Sequence, residues 1–175
     1  MSEIPMSEQP FQKDGEIQLT KEVAFRPADD NDTDFARGVH HEAYRDVVVR
    51  QFGKWDETKQ DEFFKKTWEN PGYEIISYEG EPCGYSRIEQ LPEEIKAHEL
   101  VMLPEYQGRG IGTAILGKLK SRAAREGIPA HLQVLKVNKA AELYEREGFR
   151  EVGETDTHKE MEWRPPIATP ERSEI

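Results

Sequence analysis

The pattern of apolar and polar positions divides the chain into one folded body and two polar ends. Residues 1–20 hold Pro5, Pro10 and Gly15 without a sustained period, and are expected to be a disordered or loosely docked tail. Residues 165–175, with Pro165, Pro166 and Pro170, read the same way. The body between them, residues 21–164, opens with a short strand, Glu22 to Arg26, that stops at Pro27. The acidic run Asp29 to Asp34 suits a helix start. Helical spacing of Phe35, Val39, Ala43 and Val47 then predicts a helix from Thr33 to Val49, broken at Phe52-Gly53. A second helix is predicted from Trp55 to Trp68, with Phe63, Phe64 and Trp68 as core. A hairpin follows, Tyr73–Tyr78 and Cys83–Ile88 around a Glu-Gly-Glu-Pro turn, and then a strand from Ile95 to Leu103.

The second half alternates between strands and helices. Ile111, Ala114, Ile115, Leu119 and Ala123 share one face of a helix predicted from Gly110 to Arg125, which Gly127 and Pro129 end. His131–Val137 reads as a strand, Asn138–Glu147 as a short helix with Asn138 at its N-cap, and Phe149–Val152 and Glu160–Trp163 as a last strand pair. The order predicts an α/β domain on a mixed, mostly antiparallel sheet.

Composition narrows the partners. Acids outnumber bases 35 to 24, giving a net charge of −11 and an isoelectric point near 5.0. That balance argues against nucleic acid and against anionic membrane surfaces. No apolar run approaches the ~20 residues of a membrane span, and the opening residues lack the basic start and apolar stretch of a secretory signal. Cys83 is the only cysteine, so an intrachain disulfide and a multi-cysteine metal site are excluded, and a reducing, cytoplasmic setting fits. His40-His41 lacks a second ligand pair at metal spacing, so no metal is expected.

The most informative segment is Pro104–Gly112, which joins a strand to a helix and holds Gly108, Gly110 and Gly112. The first amides of a helix lack acceptors and carry partial positive charge. Glycines let a phosphate approach them closely, and Arg109 adds a fixed charge. A P-loop would need a GxxxxGK run, which is missing. A dinucleotide fingerprint would need glycine where Thr113 stands.

The loop instead resembles the Gln/Arg-x-x-Gly-x-Gly/Ala signature of the GNAT superfamily of acyl-CoA N-acyltransferases, through Gln107, Gly110 and Gly112. A second family block is matched by Leu132–Val137, Asn138 and the run Ala140 to Phe149, with Tyr144 at its centre. The resemblance covers Glu22 to Trp163 and is strong from Glu99 to Val152. It implies a GNAT-like sheet with a splayed strand pair and flanking helices. Val101, Met102 and Leu103 would contact pantetheine and the thioester of acetyl-CoA, with the Met102 or Leu103 amide polarising its carbonyl. Gln107, Gly108, Arg109, Gly110, Ile111, Gly112 and Thr113 would hold the pyrophosphate, and Asn138 the pantetheine arm.

The resemblance further implies an N-acetyltransferase that moves an acetyl group to a primary amine by direct attack in a ternary complex. Tyr144 would protonate the departing thiolate. Glu99 would be the base, acting through water, with His98 in second place. Because adjacent strand residues point to opposite faces, at most one of the two is expected in the cleft. Tyr44 and Trp55 are candidates for the acceptor pocket. The acceptor would be a small-molecule or peptide amine, with a homodimer as one assembly open to the chain. The alternative reading is an acyl-CoA binding or sensing module without turnover.

Overall fold

The computed structural model describes residues 22–167; the predicted N-terminal tail and residues 168–175 lie outside that range. Seven strands form one sheet: β1 (Val23–Pro27), β2 (Tyr73–Tyr78), β3 (Glu81–Gln90), β4 (Ile95–Met102), β5 (Ala130–Leu135), β6 (Arg150–Glu154) and β7 (His158–Trp163). Four α-helices flank it: α1 (Thr33–Phe52), α2 (Glu57–Trp68), α3 (Ile111–Glu126) and α4 (Ala140–Arg146). The strand order is β1-β2-β3-β4-β5-β7-β6, and only β4 and β5 run parallel. The expected mixed, mostly antiparallel sheet is therefore present. Among the described residues, no helix is long and apolar enough to cross a membrane.

Local chemistry explains the element ends. The Asp29 side chain accepts from the Asn31 amide at 2.8 Å, and the Asp32 carboxylate accepts from the Asp29 amide at 2.8 Å. Arg26 then clamps Asp32 with two bonds of 2.9 and 2.7 Å and holds its carboxyl below the usual range. The acidic run is thus a helix start, tied to β1. Gly53, at φ 92°, closes α1 three residues later than the spacing predicts. Helix α2 begins at Glu57, not Trp55, because Asp56 caps it by accepting from the Lys59 amide. Strand β5 stops at Leu135, two residues early, where its pairing with β7 ends. Helix α4 is shorter than predicted and its N-cap position falls on Lys139, not Asn138, whose side chain stands one residue earlier and accepts from the Ala140 amide at 2.9 Å.

The two faces of the sheet bury different clusters. Ala36 and Val39 of α1 and Phe64 of α2 pack on Tyr73, Ile75, Tyr85 and Val101. On the opposite face, Leu116, Leu119 and Ala123 of α3 pack with Ala141 and Tyr144 of α4 on Ile95, Ala97, Leu132 and Val134. Cys83 is fully buried against Val23, Ile76, Ile111 and Ile115.

Candidate active site

The site starts from the place where β4 and β5 part. Their pairing covers only Ile95–Ala130, Lys96–His131 and Ala97–Leu132, after which the strands diverge. Helix α1 bridges the gap: Gln51 donates to the Thr157 carbonyl at 2.8 Å and accepts from the Val137 amide at 3.2 Å. A cavity of about 1410 Å³ fills the opening. It is lined by α1, α2, β4, the glycine loop, β5 and α4.

Register decides which backbone groups face that cavity. Leu103 N–H donates to the Cys83 carbonyl at 2.9 Å. In an antiparallel pair, residues alternate between bonded and non-bonded positions. Val101 and Glu99 are therefore bonded to Tyr85 and Arg87, while Leu100 and Met102 turn their amides and carbonyls toward the vacated β5 side. Gln107 Nε2 takes the Met102 carbonyl at 3.2 Å, which leaves the Met102 N–H open to the cleft. Of the two amides named from the sequence as carbonyl polarisers, Leu103's is thus occupied and Met102's is available.

A bulge re-aims β4. Its register against β3 shifts between Arg87 and Ile88, and His98 is the extra residue. Before the bulge, Ile95 and Ala97 face the α3 and α4 layer; after it, Val101 faces α1 and α2. Glu99, two residues before Val101, shares that face. His98 and Glu99 both line the cavity, because alternation does not hold across a bulge. This corrects the expectation that only one of them would. His98 Nε2 is paired with Glu89 at 2.8 Å.

Glu99 sits among phenols. Tyr73 Oη donates to it at 2.8 Å, while the buried Tyr85 hydroxyl faces it without closing a hydrogen bond. Burial holds the Glu99 carboxyl above its usual range, opposed by the Tyr73 bond and the Arg87 charge. Burial, followed by the Glu99 charge, pushes the Tyr44 and Tyr73 phenols far up. Tyr44 comes from α1 and Tyr144 from α4, on opposite sides of the sheet, and both line the cavity through the gap. Tyr144 is 8 % exposed, and burial pushes its phenol up to about 12, so it carries its proton at neutral pH.

The glycine loop is built for close approach. Gly108 and Gly110 take φ values of 80° and 84°, where a side chain is strained. Gly110 is the residue before α3 and no side chain caps that helix, so its first amides stay open beside the cavity. Gly112 also serves packing, since a Cβ there would lie 2.8 Å from Leu143 Cδ2 of α4.

Several named residues stand elsewhere. Val101, Met102, Gln107, Gly108, Gly110, Gly112, Thr113 and Asn138 line the cavity. Leu103, Arg109 and Ile111 do not. The Ile111 side chain is 1 % exposed and anchors α3 in the core, so only its backbone can serve a ligand. Arg109 stacks over the Tyr106 ring at 5.1 Å. Trp55 lies outside the cavity, packed on His41 and under Arg45.

Cys83 is a core thiol, pushed up to about 11 by burial, and is unfit as a nucleophile. His41 meets Glu57 through Nδ1 at 3.1 Å and Asp61 through Nε2 at 2.7 Å. Each carboxylate occupies a different ring nitrogen, so the cluster closes on the imidazole itself. Sequence reasoning missed Tyr73, Tyr85 and Arg87 as site residues. Their signal, alternate polar-tipped side chains on two paired strands, reads as ordinary core until the bulge places Glu99 beside them.

A parallel strand pair that opens, an open strand edge and an uncapped helix N-terminus line one cleft, a form that can accommodate an extended, phosphate-bearing ligand. The comparisons with known proteins name the class. A family model described as the Acetyltransferase (GNAT) family matches residues 40–149, and the chain belongs to that family. It is 30% identical over 145 residues to an uncharacterized N-acetyltransferase of Methanocaldococcus jannaschii, covering 76% of this chain and 63% of that protein. Over 70 residues it is 36% identical to the ribosomal protein bS18-alanine N-acetyltransferase of Haemophilus influenzae, covering 39% of this chain and 48% of that one. The chain thus spans 63% and 48% of these relatives' lengths. Among solved structures, it shares the fold of the PaiA N-acetyltransferase of Thermoplasma acidophilum in complex with coenzyme A. The TM-score is 0.67 at 16% identity, over 81% of this chain and 98% of that one. The ribosomal-protein-S18-alanine N-acetyltransferase of Escherichia coli gives a TM-score of 0.59 at 19% identity, over 86% and 99%.

Proposed function

We propose that this chain is an acetyl-CoA-dependent N-acetyltransferase that transfers the acetyl group directly to a primary amine within a ternary complex. The observation that carries the reading is the Met102 N–H, left open by the parting of β4 and β5 in a cavity that Tyr144 also lines. The open amides at the start of α3, with Gln107, Gly108 and Thr113, would take the pyrophosphate. Leu100 and Met102 would pair with the pantetheine amides as a missing strand would. Asn138 would add a side-chain amide, since its oxygen is engaged by the Ala140 N–H.

Chemistry follows from the same placement. The amine would enter between α1 and α2 and lose its proton to Glu99 through water. Attack on the thioester carbon forms the carbon–nitrogen bond, with the developing oxyanion held by the Met102 N–H. As the carbon–sulfur bond breaks, Tyr144 would donate its proton to the leaving thiolate and be reprotonated, through water, by the proton that the adduct nitrogen sheds as the amide forms. No enzyme nucleophile is needed, in keeping with the buried Cys83 thiol. Tyr44 would wall the acceptor side.

An amine panel with acetyl-CoA, read by free thiol and by mass of the amide, tests the reading. Amine-dependent thiol release with matching amide is expected. Binding of CoA, seen as a thermal shift, without thiol release for any amine would favour the sensing module instead. A ligand at 100 times its dissociation constant adds about 2.7 kcal/mol of stability.

A further inference from the structure

On β2, β3 and β4 the register sets Tyr73, Arg87 and Glu99 in one row across the sheet. Opposite charges facing each other on antiparallel strands usually pair. Here the Tyr73 hydroxyl takes the Glu99 carboxylate at 2.8 Å. The Arg87 guanidinium instead stands over the Tyr73 ring, 5.9 Å from its centroid. Its Nε is buried and has no hydrogen-bond partner among the described residues. Arg87 lines the cavity together with Thr67 and Asn70, at the end where α2 finishes. The rest of the guanidinium also makes no hydrogen bond or ion pair among the described residues, and the group that fits its planar fork best is a carboxylate.

We propose that Arg87 is an acceptor-recognition residue that binds a carboxylate carried by the amine substrate. This rests on the acetyl-transfer reading above. Distance along the strand sets the class of acceptor further. Glu99, and Arg87 opposite it, lie three residues from Met102, which is about 10 Å at ~3.3 Å per residue. The nitrogen must reach the carbonyl held at Met102 while the carboxylate reaches Arg87. A carboxylate held at that backbone interval suits a chain of several carbons between amine and carboxylate better than a single one. The fitting acceptor carries its carboxylate a short aliphatic chain away from the amine, as an ω-amino acid or a lysine-like side-chain amine does.

The test uses the full chain and its Arg87→Gln and Arg87→Lys variants, checked for unchanged circular dichroism and melting. The kcat/KM values for 6-aminohexanoate, hexylamine and 1,6-hexanediamine are compared within each protein, so that any general change at Glu99 cancels in the ratio. The native chain is expected to favour 6-aminohexanoate over hexylamine at least tenfold. Arg87→Gln should erase that ratio, and Arg87→Lys should keep part of it. In parallel, calorimetry of 6-acetamidohexanoate with the CoA-loaded protein should show binding at least tenfold weaker in Arg87→Gln. A preference for the diamine, an equal fall for all three amines, or product binding indifferent to Arg87 would overturn the proposal. Arg87-dependent binding without turnover of any amine would support the subsite and overturn the transfer reading alone.

Discussion

The two sides of β4 are built from different materials. Toward β5 and α3 the cleft is made of backbone: the Leu100 and Met102 edge, the turns at Gly108 and Gly110, and the open first amides of α3. Toward α1 and α2 it is made of side chains, Tyr44, Arg87 and Glu99, with the core phenols Tyr73 and Tyr85 packed behind Glu99. A backbone surface can bind a ligand whose phosphates and amides are the same in every turnover. A side-chain surface can be varied residue by residue to choose an acceptor. The bulge at His98 separates the two, because it turns Glu99 toward α1 and α2 while the β4 edge faces β5.

Breaking the backbone side should have the largest effect. Gly110→Asp would put a side chain and a negative charge at the start of α3, where φ is 84°. Loss of two charge-assisted hydrogen bonds, at about 1.5–3 kcal/mol each, places the drop in acetyl-CoA affinity above about 100-fold. Calorimetric titration checks it, and unchanged affinity would remove the loop from the cofactor site. Tyr144→Phe keeps the ring in the core and deletes only the hydroxyl. Turnover should fall by about 10²–10⁴-fold, the range for a lost general acid, with acetyl-CoA affinity and melting temperature little changed. A matching fall in stability would reduce Tyr144 to packing.

Effects on the acceptor side should show in pH dependence. Glu99 must be ionised to act as a base, so kcat/KM should rise with pH through a value above the ordinary carboxylate range. Tyr73→Phe removes a bond that favours the ionised form, and so should move that rising limb to higher pH. A limb that stays in place would separate Tyr73 from the base. Stability carries the opposite sign. A carboxyl raised by folding binds its proton more tightly in the native state. Stability should therefore fall as pH climbs from the unfolded carboxyl value through the raised folded one, and Glu99→Gln should flatten that fall in a urea titration series.

The smallest change is expected at Arg109. Its guanidinium is exposed, stacks on Tyr106 and stands outside the cavity lining. Arg109→Ala should weaken CoA by about 0.5–1 kcal/mol, the scale of an exposed charge contact, and the loss should shrink as salt rises. A loss as large as that of Gly110→Asp would show that Arg109 swings onto the phosphates when ligand binds.

The same contrast explains what the sequence reveals. Strand, glycines and helix N-terminus are adjacent along the chain, so the parts that would hold the cofactor under the proposed function, from Gln107 to Gly112 and from Asn138 to Tyr144, can be picked out locally. The acceptor side is assembled by register between distant strands. Tyr73, Arg87 and Glu99 are neighbours only because β2, β3 and β4 align them, and nothing local marks the bulge that turns Glu99 toward α1. Trp55 reads as an acceptor-pocket aromatic from its place after the first helix. The cap at Asp56 starts α2 there, and the indole folds back onto Arg45 and His41. Leu103 reads as cleft backbone from its place at the strand end, yet its amide closes the last bond to β3.

Direct transfer requires both sides of β4 to be occupied at once, with no acetyl group resting on the protein between them. Rapid quench of the full chain pre-mixed with excess acetyl-CoA, before and after addition of an accepted amine, tests this most directly. No burst of free thiol is expected without amine, and with amine one thiol should appear for each amide formed. A stoichiometric burst of thiol in the absence of amine, with acetyl found on the protein, would contradict the account.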